Sequence, residues 1–321
     1  METSNTTTKR YGAYFVALLA AVAIVASPVE AVVIRDVPGG PGTGNTTAPP
    51  DDPGWDNFGT KGNGTSCIYL GQRWVLTAAH ARVADNVESA RFGGVTYNMV
   101  PGSGRFLHDP DDPGINADLS MFRIDADPGL PGLTISSTSP PDGAAVVAMG
   151  NGRSRAAAET SWGVVEDPVG VFTWTEGGTD KSGFMLISSR SRRWGENEIE
   201  ESGVQFDGAG YTTRALETIF DPFGVGNANE MQVATGDSGG GMFYKNNGNW
   251  ELAGILIATK TYAGQPDAVV YGNLSVAADL SRYYGQITSP VPEPSSLVML
   301  AVGTGFLAWW SWRRRRAGRG A

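Results

Sequence analysis

Cysteine is almost absent from this chain. Cys67 is the only one in 321 residues, so no intramolecular disulfide is possible. Cohesion must come from a hydrophobic core, which a body of this length is large enough to bury. A lone Cys is either a reactive thiol or a small buried hydrophobe, and the second is expected here. Histidine is scarce too, with only His80 and His108. Basic charge is in deficit. Setting aside residues 1–31 and 292–321 leaves 17 Lys+Arg against 30 Asp+Glu, a net of −13. There is no basic stripe to neutralise phosphates, which argues against nucleic acid as a partner. No internal repeat and no nucleotide-binding glycine loop after a strand occurs. Helical spacing is confined to "VAADLSRYYGQI" (276–287).

What the chain has in quantity is glycine (44) and proline (19), the mark of a turn-rich body of short strands. Residues 45–54 are mostly Thr, Pro, Asp and Gly and read as a loop. Beyond them, short apolar or alternating runs follow one another between turn signals: "CIYL", "RWVLTAA", "LSMFRI", "AAVVAM", "GVFTW", "GFMLIS", "GGMFY", "WELAGILIAT" and "AVVYGNL". Their spacing predicts an all-β body of sandwich or barrel units.

The two ends differ from the body. Lys9-Arg10, an apolar run and "SPVEA" form the basic, hydrophobic and small-residue parts of a signal peptide, with cleavage expected after Ala31. The alternative is a permanent anchor, for which the apolar run is short. At the other end, an apolar stretch over 297–312 precedes Arg313 to Arg316. Sixteen residues at about 1.5 Å each reach roughly 24 Å, short of a hydrocarbon core of about 30 Å. Together with Pro292-Glu293-Pro294, this segment resembles the PEP-CTERM sorting signal of Gram-negative bacteria. That resemblance implies a membrane sorting enzyme acting near the tripeptide. The alternative is an ordinary C-terminal anchor. Either way the body, residues 32–288, is expected outside the cytoplasmic membrane, followed by a sorting segment over 289–321.

Three short stretches carry chemistry. His80 ends "WVLTAAH" (74–80), Asp118 opens an apolar strand in "INADLSMFRI" (115–124), and Ser238 lies in "GDSGGGMF" (236–243). Each has a plain reading: a strand-end His, a turn Asp, a Ser in a glycine loop. Together they supply a weak nucleophile, a base matched to neutral pH and a carboxylate to orient that base. The glycines leave room for an oxyanion hole built from the Gly236 and Ser238 N–H groups. His108, in "FLHDPDD", reads as a surface-loop residue. The Asp-rich loop there lacks the fixed spacing of a Ca²⁺ site, so no metal and no cofactor is expected.

These stretches, in the order His, Asp, Ser, resemble the signatures of chymotrypsin/trypsin-like serine proteases. "GNWELAGILIAT" resembles that family's cleft strand, and "VVYGNLSVAADLSRYYGQI" its closing strand and terminal helix. The resemblance covers roughly residues 60–288. It implies two six-stranded antiparallel Greek-key barrels with a C-terminal helix, the first barrel ending near 140 and the second filling 141–288. A signal helix and a hydrophobic C-terminal helix would flank them. It also implies His80, Asp118 and Ser238 as a catalytic triad at the seam.

The departures from the family are informative. Ala81 and Ala234 stand where the family has cysteines. Ile257-Ala258-Thr259 replaces Ser-Trp-Gly, removing a hydroxyl that normally helps hold the Asp. The resemblance places Gln232 at the floor of the specificity pocket and Thr259 and Val269 on its walls, which implies small or medium uncharged side chains. A freed amine at Val32 could pair with Asp237; alternatively, internal side chains hold that Asp. Residues 174–230 look longer than the family core needs, with "SRRWGENEI" (191–199) a solvated surface loop or an exosite. The expected activity is a secreted or surface-anchored serine endopeptidase acting on a protein or peptide substrate. The alternative is a non-catalytic protease-like surface, adhesion or matrix protein.

Overall fold

The computed structural model describes residues 32–35, 42, 44–82 and 88–289. Residues 1–31, where a signal peptide is expected, the Pro292-Glu293-Pro294 tripeptide, the apolar stretch 297–312 and the basic tail lie outside the described residues. The chain divides into two units, Met1–Tyr284 and Gly285–Ala321. The described part of the second unit is the end of the C-terminal helix.

The elements in order are β1 (Val33–Ile34), β2 (Phe58–Lys61), β3 (Ser66–Gly71), β4 (Trp74–Thr77), β5 (Ser89–Phe92), β6 (Val95–Asn98), β7 (Arg105–His108), β8 (Asn116–Arg123), β9 (Ala145–Gly150) and β10 (Arg153–Arg155). They continue with β11 (Thr160–Glu166), β12 (Phe172–Glu176), β13 (Lys181–Arg190), β14 (Arg193–Gly208), β15 (Tyr211–Ile219), β16 (Met231–Gln232), β17 (Gly241–Asn246), β18 (Asn249–Lys260), β19 (Ala268–Val270), β20 (Leu274–Asp279) and α1 (Leu280–Thr288). The body is all-β, as the strand-and-turn pattern predicts.

The second half is a closed six-stranded barrel in the order β14-β15-β20-β18-β17-β9. Its antiparallel hairpins close on two-residue turns. Asn247-Gly248, joining β17 and β18, has φ of 49° and 85°, the conformation that favours Asn-Gly in a hairpin of this twist. Val146, Ala148, Ile199, Leu216, Met242 and Leu256 fill its interior.

The first half departs from a plain six-stranded barrel. It is a seven-stranded sheet in the order β6-β5-β2-β3-β4-β8-β7. The sheet curls back on itself where Met99, just after β6, bridges Ile124, just after β8. The Val100 N–H donates to the Arg123 carbonyl at 2.8 Å beside that bridge. Cys67, Tyr69, Val75, Phe92 and Phe122 form its core, and burial pushes the Cys67 thiol up to about 12. The two halves meet where β8 packs on β15. β8 is buried from Ala117 through Phe122, its polar Asp118 and Ser120 included, because the second half covers the face that a lone sheet would leave to solvent.

Three local expectations are corrected. "SRRWGENEI" is neither loop nor exosite, because it opens barrel strand β14, with Arg193, Trp194, Asn197 and Ile199 all buried. The extra length lies mainly earlier, in a five-stranded sheet of β10, β13, β11, β12 and β19. And 276–279 is strand, not helix: β20 must bridge β15 and β18 to close the barrel, and that pairing overrides the local pattern.

The Asp-rich loop after β7 is held by its own neighbours. Asp109 Oδ1 accepts from the Asp111 N–H at 2.7 Å, and Arg214 Nη2 lies 2.7 Å from Asp111 Oδ2. His108 ends β7 and is exposed.

Candidate active site

β4 delivers the chain to a tight turn in which the Arg82 N–H donates to the Ala79 carbonyl at 3.0 Å. His80 sits in this turn. Asp118 is the third residue of β8, and Ser238 lies in the turn between β16 and β17. Strands from both halves therefore bring the three together. His80 Nδ1 lies 2.6 Å from Asp118 Oδ2, and His80 Nε2 lies 2.8 Å from Ser238 Oγ. Asp118 Oδ1 also accepts the His80 N–H at 2.8 Å, so one carboxylate fixes the backbone and the ring of the same residue. Asp118 is buried, with 2% of its side chain exposed against 19% for His80. A buried carboxylate beside a half-covered imidazole favours the tautomer whose Nε2 can accept a proton.

The resemblance gave no holder for Asp118 once Ile257 replaced the usual serine. The structure supplies one from the other barrel: the Asp118 N–H donates to Thr213 Oγ1 at 2.9 Å. Local sequence carries no signal for this contact, since the partners are 95 positions apart.

The nucleophile turn is fastened to β3. Ser66 Oγ donates to the Gly236 carbonyl at 3.0 Å, and the Ser66 N–H donates to the Ser238 carbonyl at 3.0 Å. The Gly240 N–H takes the Asp237 carbonyl at 2.6 Å. That fixes the plane of the peptide whose N–H belongs to Ser238. Gly236 has φ +112°, a conformation that disfavours any side chain. At Gly239 a Cβ would collide with the Ser66 carbonyl oxygen and Thr77 Oγ1. Neither Gly236 nor Ser238 belongs to a strand.

Where the family resemblance places a cysteine, Ala81 is held by other means. Lys61 Nζ donates to the Ala81 carbonyl at 2.6 Å and Asn63 Nδ2 donates to it at 2.9 Å. Lys61 in turn pairs with Glu88 at 2.8 Å, with both side chains 0% exposed. Burial lowers the Lys61 ammonium and the Glu88 charge opposes that shift.

Residues 32–35 are built into the second half. β1 pairs antiparallel with β16, Val33 opposite Gln232. Arg155 Nε donates to the Ile34 carbonyl at 2.8 Å. Arg35 Nη1 donates to the carbonyls of Asp221 (3.0 Å), Pro222 (2.6 Å) and Val225 (2.6 Å). Val32 is fully buried beside Asp237, whose carboxyl is pushed up to about 7 by burial, opposed by the N–H groups of Ala234, Val32 and Asn151 and by the charge of Arg193. Asp237 Oδ1 has no hydrogen-bond partner among the described residues.

A cavity of about 420 Å³ is lined by Gln232, Ala234, Thr235, Thr259, Gln265 and Val269, among others, so its lining reaches to within three residues of Ser238 along the chain. The three pocket residues drawn from the resemblance therefore line one cavity. β19, which carries Val269, is paired to β13 of the extra sheet, so the added residues support a pocket wall.

Comparisons add the following. Residues 290–316 match the PEP-CTERM protein-sorting motif, so the chain carries this sorting signal. Among the described residues no helix is long and apolar enough to cross a membrane. No curated protein matches the chain. Among solved structures it is similar to neuropsin, a serine protease of mouse brain, at 18% identity over 76% of this chain and 97% of that one, with TM-score 0.45. It is also similar to the NS6 protease of murine norovirus 1, at 12% identity over 77% and 100%, with TM-score 0.40. The active form of the Rv3671c protease of M. tuberculosis shares 15% identity over 71% and 76%, with TM-score 0.37.

Proposed function

We propose that this chain is an exported serine endopeptidase that hydrolyses peptide bonds through an acyl-enzyme. The reading rests on one observation: the continuous chain Asp118 Oδ2, His80 Nδ1, His80 Nε2, Ser238 Oγ at 2.6 and 2.8 Å. In it His80 Nε2 takes the Ser238 proton as Oγ attacks the substrate carbonyl carbon. Asp118 orients His80 and stabilises the imidazolium. The Gly236 and Ser238 N–H groups receive the developing oxyanion; one such donor is worth on the order of 100–1000-fold in rate. His80 then returns the proton to the leaving amine, and water, deprotonated by the same imidazole, releases the acid. Gln232, Thr259 and Val269 form the pocket for the residue before the scissile bond. Its lining suits a small or medium uncharged side chain.

Export cleavage after Ala31 would free an amine at Val32, next to Asp237. Pairing of the two is the proposed activating contact, with Arg193 as the internal cation that faces Asp237 until then. The sorting motif marks the chain for handling at the cell surface, where the 297–312 stretch serves as the membrane segment and a sorting enzyme acts near Pro292-Glu293-Pro294.

A fluorophosphonate probe tests this. Labelling of the wild type and not of Ser238→Ala is expected. A folded, processed chain that fails to label would favour a non-catalytic surface protein. That second reading draws on the loss of the serine hydroxyl at position 257, for which Thr213 offers a substitute hold on the Asp118 backbone.

A further inference from the structure

Gln232 is 1% exposed, yet neither its Oε1 nor its Nε2 has a hydrogen-bond partner among the described residues. Leaving a buried donor or acceptor unmade is costly. Gln232 also lines the cavity that Thr259 and Val269 share. The other amides of the lining show what such a group requires. Gln265 Nε2 donates to Asn273 Oδ1 at 3.0 Å, and Asn273 Nδ2 donates to Gln265 Oε1 at 2.8 Å. Those two satisfy each other reciprocally, and Gln232 is left over. The only charged lining residue, Asp267, is taken by Arg153 Nη2 at 2.7 Å.

Resting on the protease reading above, we propose that this cavity selects a primary amide, the side chain of Gln or Asn in the residue before the scissile bond. An amide presents one acceptor and one NH₂ donor on the same edge. It can therefore pair with both atoms of Gln232 at once, as Gln265 and Asn273 pair with each other. An ammonium or guanidinium would satisfy Oε1 alone and bring a charge into a cavity whose one carboxylate is already paired. A carboxylate would satisfy Nε2 alone and face Oε1. An aliphatic side chain would displace solvent from both atoms and replace neither bond. The cavity volume lies within the range of small-ligand sites, which leaves room for Gln.

The test uses the exported full chain and peptides identical except for Gln, Asn, Glu, Leu, Met, Lys or Ala before the scissile bond, with fluorophosphonate labelling run in parallel. Gln or Asn should exceed Leu and Met in kcat/KM by about 10- to 100-fold, the cost of two unmade buried bonds. Gln232→Met should reverse that order, with its labelling read only as a sign that the variant has folded. A variant that fails to label has not folded, and the wild-type series then decides alone. Wild-type labelling with Leu, Met or Lys cleaved as fast as Gln overturns the amide pocket and leaves the protease reading standing. No labelling and no cleavage of any peptide overturns both.

Discussion

The carboxyl of Asp237 ties pH, export and folding into one measurement. With Val32 as an internal amide, burial holds this carboxyl at about 7 against an ordinary value of 3.8. The folded chain then binds a proton that the unfolded chain releases near pH 4. Between about pH 4 and pH 7 the folded state holds more protons, so stability falls as pH rises and levels off above 7. At about 1.4 kcal/mol for each pH unit, a rise from 3.8 to about 7 corresponds to about 4 kcal/mol. Cleavage that leaves a Val32 ammonium beside the carboxylate removes this loss, because the charged form gains a partner. Urea unfolding at pH 4.5 and pH 7.5, both within the reach of ordinary buffers, should therefore give a steeper fall for the chain retaining its leader than for the chain beginning at Val32. Glu230, also raised by burial to about 7, contributes equally to both and cancels in the comparison. Asp237→Asn should make the two slopes equal. Equal slopes in the unsubstituted pair would refute the reasoning.

Other expectations follow from the same geometry. Asp118→Asn should leave Ser238 in place but lower kcat by about 10⁴-fold at neutral pH, through loss of the imidazole tautomer; a loss below tenfold would contradict that role. Lys61→Met should destabilise, by at most about 3–5 kcal/mol, because the buried Glu88 carboxylate loses its cation at 2.8 Å while Arg82, at 4.0 Å, compensates in part. Lys61→Met with Glu88→Leu should recover most of that stability in thermal melts and still show a lowered kcat, since the Ala81 carbonyl beside His80 has lost its ammonium donor. Arg35→Ala should expose 221–227 to limited proteolysis, because one guanidinium gathers the carbonyls of that loop.

The three residues that the structure brings together stood out because each lies where a short apolar strand meets a turn or a polar stretch: His80 after β4, Asp118 at the start of β8 and Ser238 ahead of β17. What surrounds them was not. Thr213 and Ser66 act on Asp118 and Gly236 across 95 and 170 positions, and a hydroxyl on a strand looks alike whether it serves a site or not. "SRRWGENEI" misled by its charge. Arg193 Nη2 is satisfied by Ser154 Oγ at 2.8 Å, and Asn197 Nδ2 reaches the Ile219 carbonyl and Glu230 Oε1, each at 2.9 Å. Polar groups partnered so far along the chain can be buried, and composition cannot show it. Turns divided the same way. Asn247-Gly248 declares itself, whereas Gln72 and Arg73, neither of them glycine, adopt positive φ of 50° and 67°.

The ion pair of Lys61 and Glu88 gives the His80 turn a fastening that has no oxidation state. Its hold on the Ala81 carbonyl forms as the chain collapses. It needs neither a thiol oxidant nor an isomerase during export, and no reductant can undo it. The one thiol, Cys67, is sealed in the first core and so cannot link two copies. A protein joined this way is indifferent to the redox potential of its surroundings and can assemble in oxygen-free water as readily as in air. It should keep its fold in millimolar dithiothreitol.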